Sequence, residues 1–376
     1  MYQLQLNHAD FLAQHWQKHP LVIRQGFVNF IDPIEPDELA GLAMEEDLSS
    51  RLVFTEGNNW RIQQGPITNF SQLGEQNWQL LVQAVNHFAE QTHPFCNSFR
   101  FLPDWRFDDL MVSFAMPGGG VGPHIDNYDV FIIQGSGSRR WTVGPLGEYQ
   151  QRNNDANSPL IEDFEPIIDT VLAPGDILYI PPGFPHRGYT LEPSMSYSMG
   201  FRAPSQQELI GELADYMLDN QLGQHRYVST AETLPASQFS QQQQQGLMQL
   251  LTDLASDPTQ YQTVLGRLLS QSRFELDINE MEPELSEDEL DEAISEGAML
   301  QRIGGLKVLL LENDHQSRLF ANGDAFPLPQ ANMDQLSLLA EVRCLSGTQL
   351  TELCQHHAIK TLLLSWINAG YYYLTE

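Results

Sequence analysis

The sequence predicts an α+β multidomain protein: a β-sandwich or barrel first, then a helical region, then a small winged-helix-like unit. Three observations predict it. Over residues 1–204, short alternating apolar runs are broken by Gly, Pro and polar turns, the texture of an all-β unit. At Ser205 the apolar spacing changes to three and four, which is helical. Beyond an acidic stretch, strand-like runs around a tight turn alternate with helical runs. A chain of 376 residues has room for two or three domains of ordinary size, and the boundaries fall at 1–204, 205–274 and 275–376.

Two helical stretches, 10–19 and 72–91, are expected before the barrel, whose strands are expected at 110–116, 130–133, 176–180 and 195–201. In the helical region Ser205 and Glu208 have the spacing of a capping box, and Leu209, Ile210, Leu213 and Met217 follow at helical intervals. The glutamine run 241–245 reads as a solvated helix start or loop. Asp257 before Pro258 starts another helix, with Tyr261, Val264, Leu265, Leu268 and Leu269 on its apolar face. Such faces suit either a small domain or an oligomer interface.

From 275 to 296 there are eleven acidic residues and no basic one. This segment reads as a linker running into a helix capped by Ser286 and Glu289. Strand-like runs at 299–303 and 307–311, a turn at Asn322 and Gly323, and helical runs at 335–342, 349–356 and 359–368 suggest a winged helix. DNA binding is the tempting inference. From Ala298 onward, however, five Lys or Arg stand against seven Asp or Glu, and a DNA reader should be basic on its docking face. A structural or protein-contact role is expected instead.

Overall charge points the same way. Nineteen Lys and Arg against 49 Asp and Glu give −30 at pH 7, a field that repels phosphate backbones and anionic membranes and favours a basic protein partner. No apolar run approaches the roughly 20 residues that span a bilayer, and the first residues lack the apolar core of a signal peptide. A cytoplasmic location is expected. Cys96, Cys344 and Cys354 have no metal-type spacing and read as ordinary thiols.

The chemistry concentrates in two segments, PGGGVGPHIDNYDVFIIQGSGSRRWTVG (117–144) and APGDILYIPPGFPHRGY (173–189). His124 and Asp126 are two apart on a strand-like run and so share a face. His186 starts a second strand behind a Pro-Gly turn. Two imidazoles and one carboxylate on one side of a small barrel form a facial triad that leaves coordination positions open on non-haem Fe(II).

These segments, with HWQKHPLVIRQGF (15–27) and YSMGFRAPS (197–205), resemble the JmjC-type 2-oxoglutarate oxygenases. Within them they look most like the bacterial ribosomal oxygenases, the ribosomal protein arginine hydroxylases of the RoxA/YcfD family. The resemblance implies that the barrel is a double-stranded β-helix (jelly roll, cupin), that 205–274 is a helical dimerisation domain and that a winged-helix domain ends the chain. It implies Fe(II) as cofactor, with 2-oxoglutarate and O2 as cosubstrates. The family's metal ligands and catalytic centre fall on His124, Asp126 and His186. Its basic residue for the distal carboxylate of 2-oxoglutarate falls on Arg139, where a guanidinium can grip a carboxylate through two parallel bonds. Arg140 is a rival that strand parity does not exclude, because the Gly135–Ser138 turn resets the alternation. Ser113 matches a second 2-oxoglutarate contact. The implied target is an arginine side chain, hydroxylated at its β-carbon, in large-subunit ribosomal protein sixteen, and the implied assembly is a homodimer.

Alternation extends the site. If Ser113 faces the pocket, Met111 and Asp109 do too; Tyr128 shares the face of His124 and Asp126, and Ser196 and Ser198 form a further same-face pair. Asp109 suits a substrate guanidinium, with the Tyr128 ring against its stem and a serine hydroxyl, Ser198 or Ser196, completing the bonds. The competing expectation is that Asp109, like Asp108, caps a turn. Rival activities are histidyl or asparaginyl hydroxylation and N-methyl-lysine demethylation, which an acidic substrate contact disfavours in part. A non-enzymatic cupin scaffold would need neither the triad nor Arg139.

Overall fold

Which faces of the strands are greasy decides the architecture. The computed structural model describes residues 2–152, 160–229, 235–314 and 316–375. Its contacts divide the chain into two units, the first comprising residues 1–203 with the short segments 273–277 and 303–305. This unit starts with helix α1 (His8–Gln14), strand β1 (Leu21–Ile23), helix α2 (Pro36–Leu42) and strands β2 (Ser50–Glu56), β3 (Asn59–Gln64) and β4 (Trp78–Val82). Short helices α3 (Val85–Phe88) and α4 (His93–Asn97) lead into the long strand β5 (Phe107–Ala115). Then come β6 (His124–Ile125), β7 (Asp129–Gln134), β8 (Arg139–Val143), β9 (Ile168–Leu172), β10 (Ile177–Ile180), β11 (Pro185–Thr190) and β12 (Ser194–Phe201). One sheet runs β1-β10-β7-β12-β5-β4-β2-β3 and the other β6-β11-β8-β9. Together they form a jelly-roll barrel, as the family resemblance implies.

The middle strands of the larger sheet, β4 and β7 among them, are buried on both faces. In β12, Met195, Tyr197 and Met199 join Phe11, Phe27, Phe95 and Phe99 in an outer core, while Ser196 and Ser198 face the barrel cavity. In β7, Phe131 and Ile133 belong to the outer core, whereas Val130 and Ile132 pack with Val143, Leu172, Leu178 and Ile180 between the sheets. Each such side chain, fully buried, contributes roughly 1.5–3 kcal/mol. The hydrophobic order of this sheet thus leaves one inner face for polar groups.

Both helices expected before the barrel differ from the sequence pattern. Residues 72–91 are not one helix: they hold β4 and α3, separated by Ala84 in the left-handed region at φ 52°. The run Trp-Gln-Leu-Leu-Val is buried at every position, so it carries neither a helical nor a strand period. The helix expected at 10–19 is His8–Gln14, started by Asn7, whose side chain accepts the Asp10 amide.

The second unit comprises residues 204–272, 278–302 and 306–376. Helices α5 (Gln206–Asp219), α6 (Gln241–Ala255) and α7 (Pro258–Ser270) are each capped, by Ser205, Ser240 and Asp257. The acidic segment leads into α8 (Glu287–Ser295), whose capping box joins Ser286 and Glu289. After it come β13 (Met299–Arg302), β14 (Val308–Leu310), β15 (Arg318–Ala321) and β16 (Asp324–Pro327), then α9 (Met333–Glu341), β17 (Cys344–Leu345), α10 (Gly347–Cys354), α11 (His357–Asn368) and β18 (Tyr372–Thr375). Two three-stranded sheets, β17-β13-β18 and β14-β15-β16, with α9, α10 and α11 give the winged-helix texture. Buried Arg318 pairs with Asp314 at 2.8 Å and donates to the Thr263 hydroxyl of α7 at 2.6 Å, tying that helix to the hairpin. Among the described residues no helix is long and apolar enough to cross a membrane.

Candidate active site and metal centre

A cavity of about 440 Å³ opens between the two sheets of the first unit. Its first polar cluster lies on β6 and β11, which pair so that His124 and His186 stand directly opposite. The bend before β6 is tight: a Cβ on Gly120 would lie 2.2 Å from the Gly188 carbonyl, so only glycine brings that bend against β11. Asp126 follows β6 in the next bend. His186 Nε2 lies 3.6 Å and His124 Nε2 3.9 Å from the same Asp126 oxygen, Oδ2, and one ligand atom from each of the three falls within 4.8 Å of the others.

The other ring nitrogens are committed. His124 Nδ1 is 2.8 Å from the Gly122 carbonyl and His186 Nδ1 is 3.1 Å from that of Phe184. A carbonyl only accepts, so each Nδ1 carries the proton and each Nε2 presents its lone pair to the cavity. Burial, with the nearby His124, lowers the His186 pKa to about 4, which keeps it in the neutral, metal-binding form. Two neutral imidazoles and a carboxylate converging on one point fit a divalent iron ion and leave part of its coordination open.

A second cluster centres on β8, which pairs with β11. Arg139 is 2 % exposed and lines the cavity. Its guanidinium donates to Ser113 Oγ, Ser194 Oγ and the carbonyls of Ser113 and Ser194, at 2.8–3.1 Å. All four acceptors are neutral. Burial pulls the Arg139 pKa down to about 9, so it remains cationic at neutral pH without an acid among these partners. Arg140 points out and pairs with exposed Asp169, which decides between the two arginines as to which one the barrel encloses. Beside Arg139, the buried hydroxyl of Thr190 and the indole N–H of Trp141 have no hydrogen-bond partner among the described residues, and both residues line the cavity.

The third cluster is acidic. Asp109 lies within β5 rather than in a turn, is 6 % exposed, and accepts the Ala84 amide at 2.9 Å through Oδ2. Its Oδ1 and the Tyr128 ring both approach Gly200, each 3.7 Å from where a Cβ would stand. Met111, Ser196 and Ser198 line the same wall. Burial raises the Asp109 carboxyl to about pH 7, against the Ala84 bond and the charges of Arg273 and Arg51. Asp108 pairs with Arg273 at 3.2 Å.

Every site residue expected from the sequence therefore lines this one cavity. The sequence reading missed Arg51, Trp60, Gln64, Gln79, Trp141 and Thr190, which also line it. Ser194 was within reach, since it shares the parity of Ser196 and Ser198. Arg51, Trp60 and Gln64 sit on the hairpin β2–β3, which the turn Glu-Gly-Asn-Asn between alternating runs could have announced.

A jelly roll with two imidazoles and a carboxylate on its inner face defines the class of non-haem iron oxygenases of the JmjC type. The family pattern described as JmjC domain matches residues 94–209, and that described as ROXA-like winged helix matches residues 229–373. The chain is 46% identical over 380 residues to the ribosomal protein uL16 3-hydroxylase of Escherichia coli K12, covering 99% of each chain. It is 33% identical to a probable ribosomal oxygenase of Haemophilus influenzae, over 84% of this chain and 80% of that one. A solved structure of the E. coli ribosomal oxygenase YcfD in complex with cobalt and 2-oxoglutarate superposes with a TM-score of 0.92 at 45% identity, covering 100% of each chain. The chain belongs to the bacterial ribosomal oxygenases of the JmjC type.

Proposed function

We propose that this protein is an Fe(II)- and 2-oxoglutarate-dependent dioxygenase that hydroxylates the β-carbon of an arginine side chain in large-subunit ribosomal protein sixteen. One observation carries the reading: a single cavity holds both the triad and a buried arginine whose partners are all neutral. Thr190 pairs with Arg139 and His186 with Val143 across β8 and β11, so the two clusters are four ladder positions apart, about 13 Å of strand. A long arginine side chain and a five-carbon dicarboxylate reaching toward the triad suit that span.

His124, Asp126 and His186 would hold the iron, which with 2-oxoglutarate and oxygen supplies the oxidising power that replaces a C–H bond by C–OH, releasing succinate and carbon dioxide. Arg139 and Ser113 fix the distal carboxylate of the cosubstrate. The Gly122 and Phe184 carbonyls hold the two imidazoles in one tautomer. Asp109 receives the target guanidinium, Tyr128 packs along its stem, and Met111 and Ser198 complete the wall. The cation fits because Asp109 carries only one protein hydrogen bond among those described, and positioning is the protein's main contribution to rate.

The likeness to a ribosomal protein uL16 3-hydroxylase and to a probable ribosomal oxygenase supports the substrate class. Mass spectrometry of ribosomal protein after incubation with the enzyme, Fe(II) and 2-oxoglutarate should show a gain of one oxygen on an arginine, absent with His124→Ala. Turnover on histidine or methyl-lysine peptides in preference to arginine would replace the reading with one of its rivals.

The assembly belongs to the same proposal. Ile210 and Leu218 of α5 and Leu247, Met248 and Leu251 of α6 are exposed, an apolar surface suited to a second copy of the chain. Sedimentation at low micromolar concentration should find a dimer; a monomer would remove it. In the winged-helix region, two of the five basic residues beyond Ala298, Arg302 and Arg318, are buried, and Lys360 is engaged by Asp291 and Glu287. A protein-contact role follows, and a cytoplasmic location agrees with a ribosomal target.

A further inference from the structure

The cavity is bordered by a sheet edge. Strand β3 ends the eight-stranded sheet and, among the described residues, pairs only with β2. The hairpin has a two-residue turn, Gly57 and Asn58, with Gly57 at φ +66°, so its closing pair Glu56–Asn59 is hydrogen-bonded and the bonded pairs then alternate. Two bonds confirm the phase: the Gly65 amide donates to the Ser50 carbonyl, and the Thr55 amide turns to Asn77 on the other side. The main-chain amides and carbonyls of Trp60, Ile62 and Gln64 consequently point away from β2, toward the open edge. Their side chains line the cavity.

Among the described residues the edge is lightly guarded. Proteins protect such edges with charges, prolines, bulges or a covering segment; on β3 the one charge, Arg61, is paired with Glu56, Arg152 donates to the Asn58 carbonyl at the turn and lies over the Trp60 ring, and Ile62 is 53% exposed in a strand that pairs with β2 in unbroken register from Asn59 to Gln64. An edge whose outward amides and cavity-lining side chains belong to the same three residues is arranged to take a strand that also delivers a side chain into the cavity.

We propose that the substrate's main chain docks on β3 as an added strand, hydrogen-bonded to Trp60, Ile62 and Gln64, with the target side chain directed into the cavity. This inference rests on the proposed peptidyl substrate and says how it is held. The occupant is an extended segment of a basic protein, consistent with a chain of charge −30 and with Asp109 in the cavity floor. Main-chain pairing supplies affinity, while the residues alternating with the target rest over Trp60 and Gln64 and supply selectivity.

The test measures binding of a synthetic ribosomal protein sixteen peptide to the full-length enzyme loaded with Mn(II) and 2-oxoglutarate, by calorimetry. Single N-methylation of each main-chain amide within two residues of the target should weaken binding at every second position, roughly fivefold to tenfold; the phase reports strand direction. Ile62→Pro, which removes an outward amide at an edge position that tolerates proline, should weaken the peptide similarly and leave 2-oxoglutarate affinity unchanged, whereas Ile62→Ala should cost less. A flat N-methylation profile, or Ile62→Ala as harmful as Ile62→Pro, overturns the docking. If the unmodified peptide is neither bound nor hydroxylated, the substrate reading falls and the docking with it; a bound, hydroxylated peptide with a flat profile removes the docking alone.

Discussion

Of the buried arginines, Arg318 of the second unit and Arg139 of the first are satisfied differently. Arg318, in the second unit, meets both oxygens of Asp314 and the Thr263 hydroxyl, so its charge is balanced inside the protein. Arg139, in the first, meets only hydroxyls and carbonyls. A buried cation without a counter-charge is costly, and here it faces a cavity rather than packed core. What the contrast teaches is that a missing counter-charge marks an arginine prepared for an anion where the guanidinium also lines a cavity: Arg302 of the second unit meets only a tyrosine hydroxyl and carbonyls as well, but it is not among the residues that line this one.

The sharpest way to break this contrast is at the anion's other anchor. His124→Ala removes a triad member and should abolish hydroxylation, measured by succinate release coupled to peptide oxidation, while the thermal midpoint changes little. Next, Arg139→Met should raise the apparent KM for 2-oxoglutarate about 100-fold, the scale of a charge-assisted bidentate contact, again with a near-normal fold. Arg318→Met should do the reverse. It leaves Asp314 buried and unpaired, which costs about 3–5 kcal/mol in denaturant unfolding, with 2-oxoglutarate affinity intact. If Arg139→Met proves chiefly destabilising, the contrast collapses.

A smaller effect follows from Asp109. Its carboxyl is raised from 3.8 to about 7, so substrate affinity should rise as pH climbs through about 7 and the carboxylate forms. Stability runs the other way: the contribution of the protonated group is complete below about pH 4 and is lost as pH rises through about 7. Melting curves of wild type and Asp109→Asn between pH 5 and 8 should therefore diverge toward the alkaline end. Arg140→Ala, on an exposed pair with Asp169, should change neither cosubstrate affinity nor melting.

How much of this was legible depended on where the signal lay along the chain. His124, Asp126 and His186 were readable because their spacing and flanking glycines and prolines are local. Asp109, Met111 and Ser113 followed from parity once one of them was placed. Arg139 against Arg140 was undecidable by parity, because a turn precedes them; what separates them is enclosure by β5 and β12, a tertiary fact. The strand β4 was misread because burial on both faces erases periodicity. Arg51, Trp60 and Gln64 reach the cavity only through the order of strands in a sheet, which no local pattern states.

Strand β12 has a further consequence. Its sequence alternates Ser194, Met195, Ser196, Tyr197, Ser198, Met199, with the odd-numbered members in the outer core and Ser196 and Ser198 on the cavity. A slip of one residue against β5 or β7 would thrust three serines among the aromatic rings and fill the reaction chamber with two methionines and a tyrosine. The chamber therefore has no misregistered version that still folds: quality control on the core is at the same time proofreading of the site.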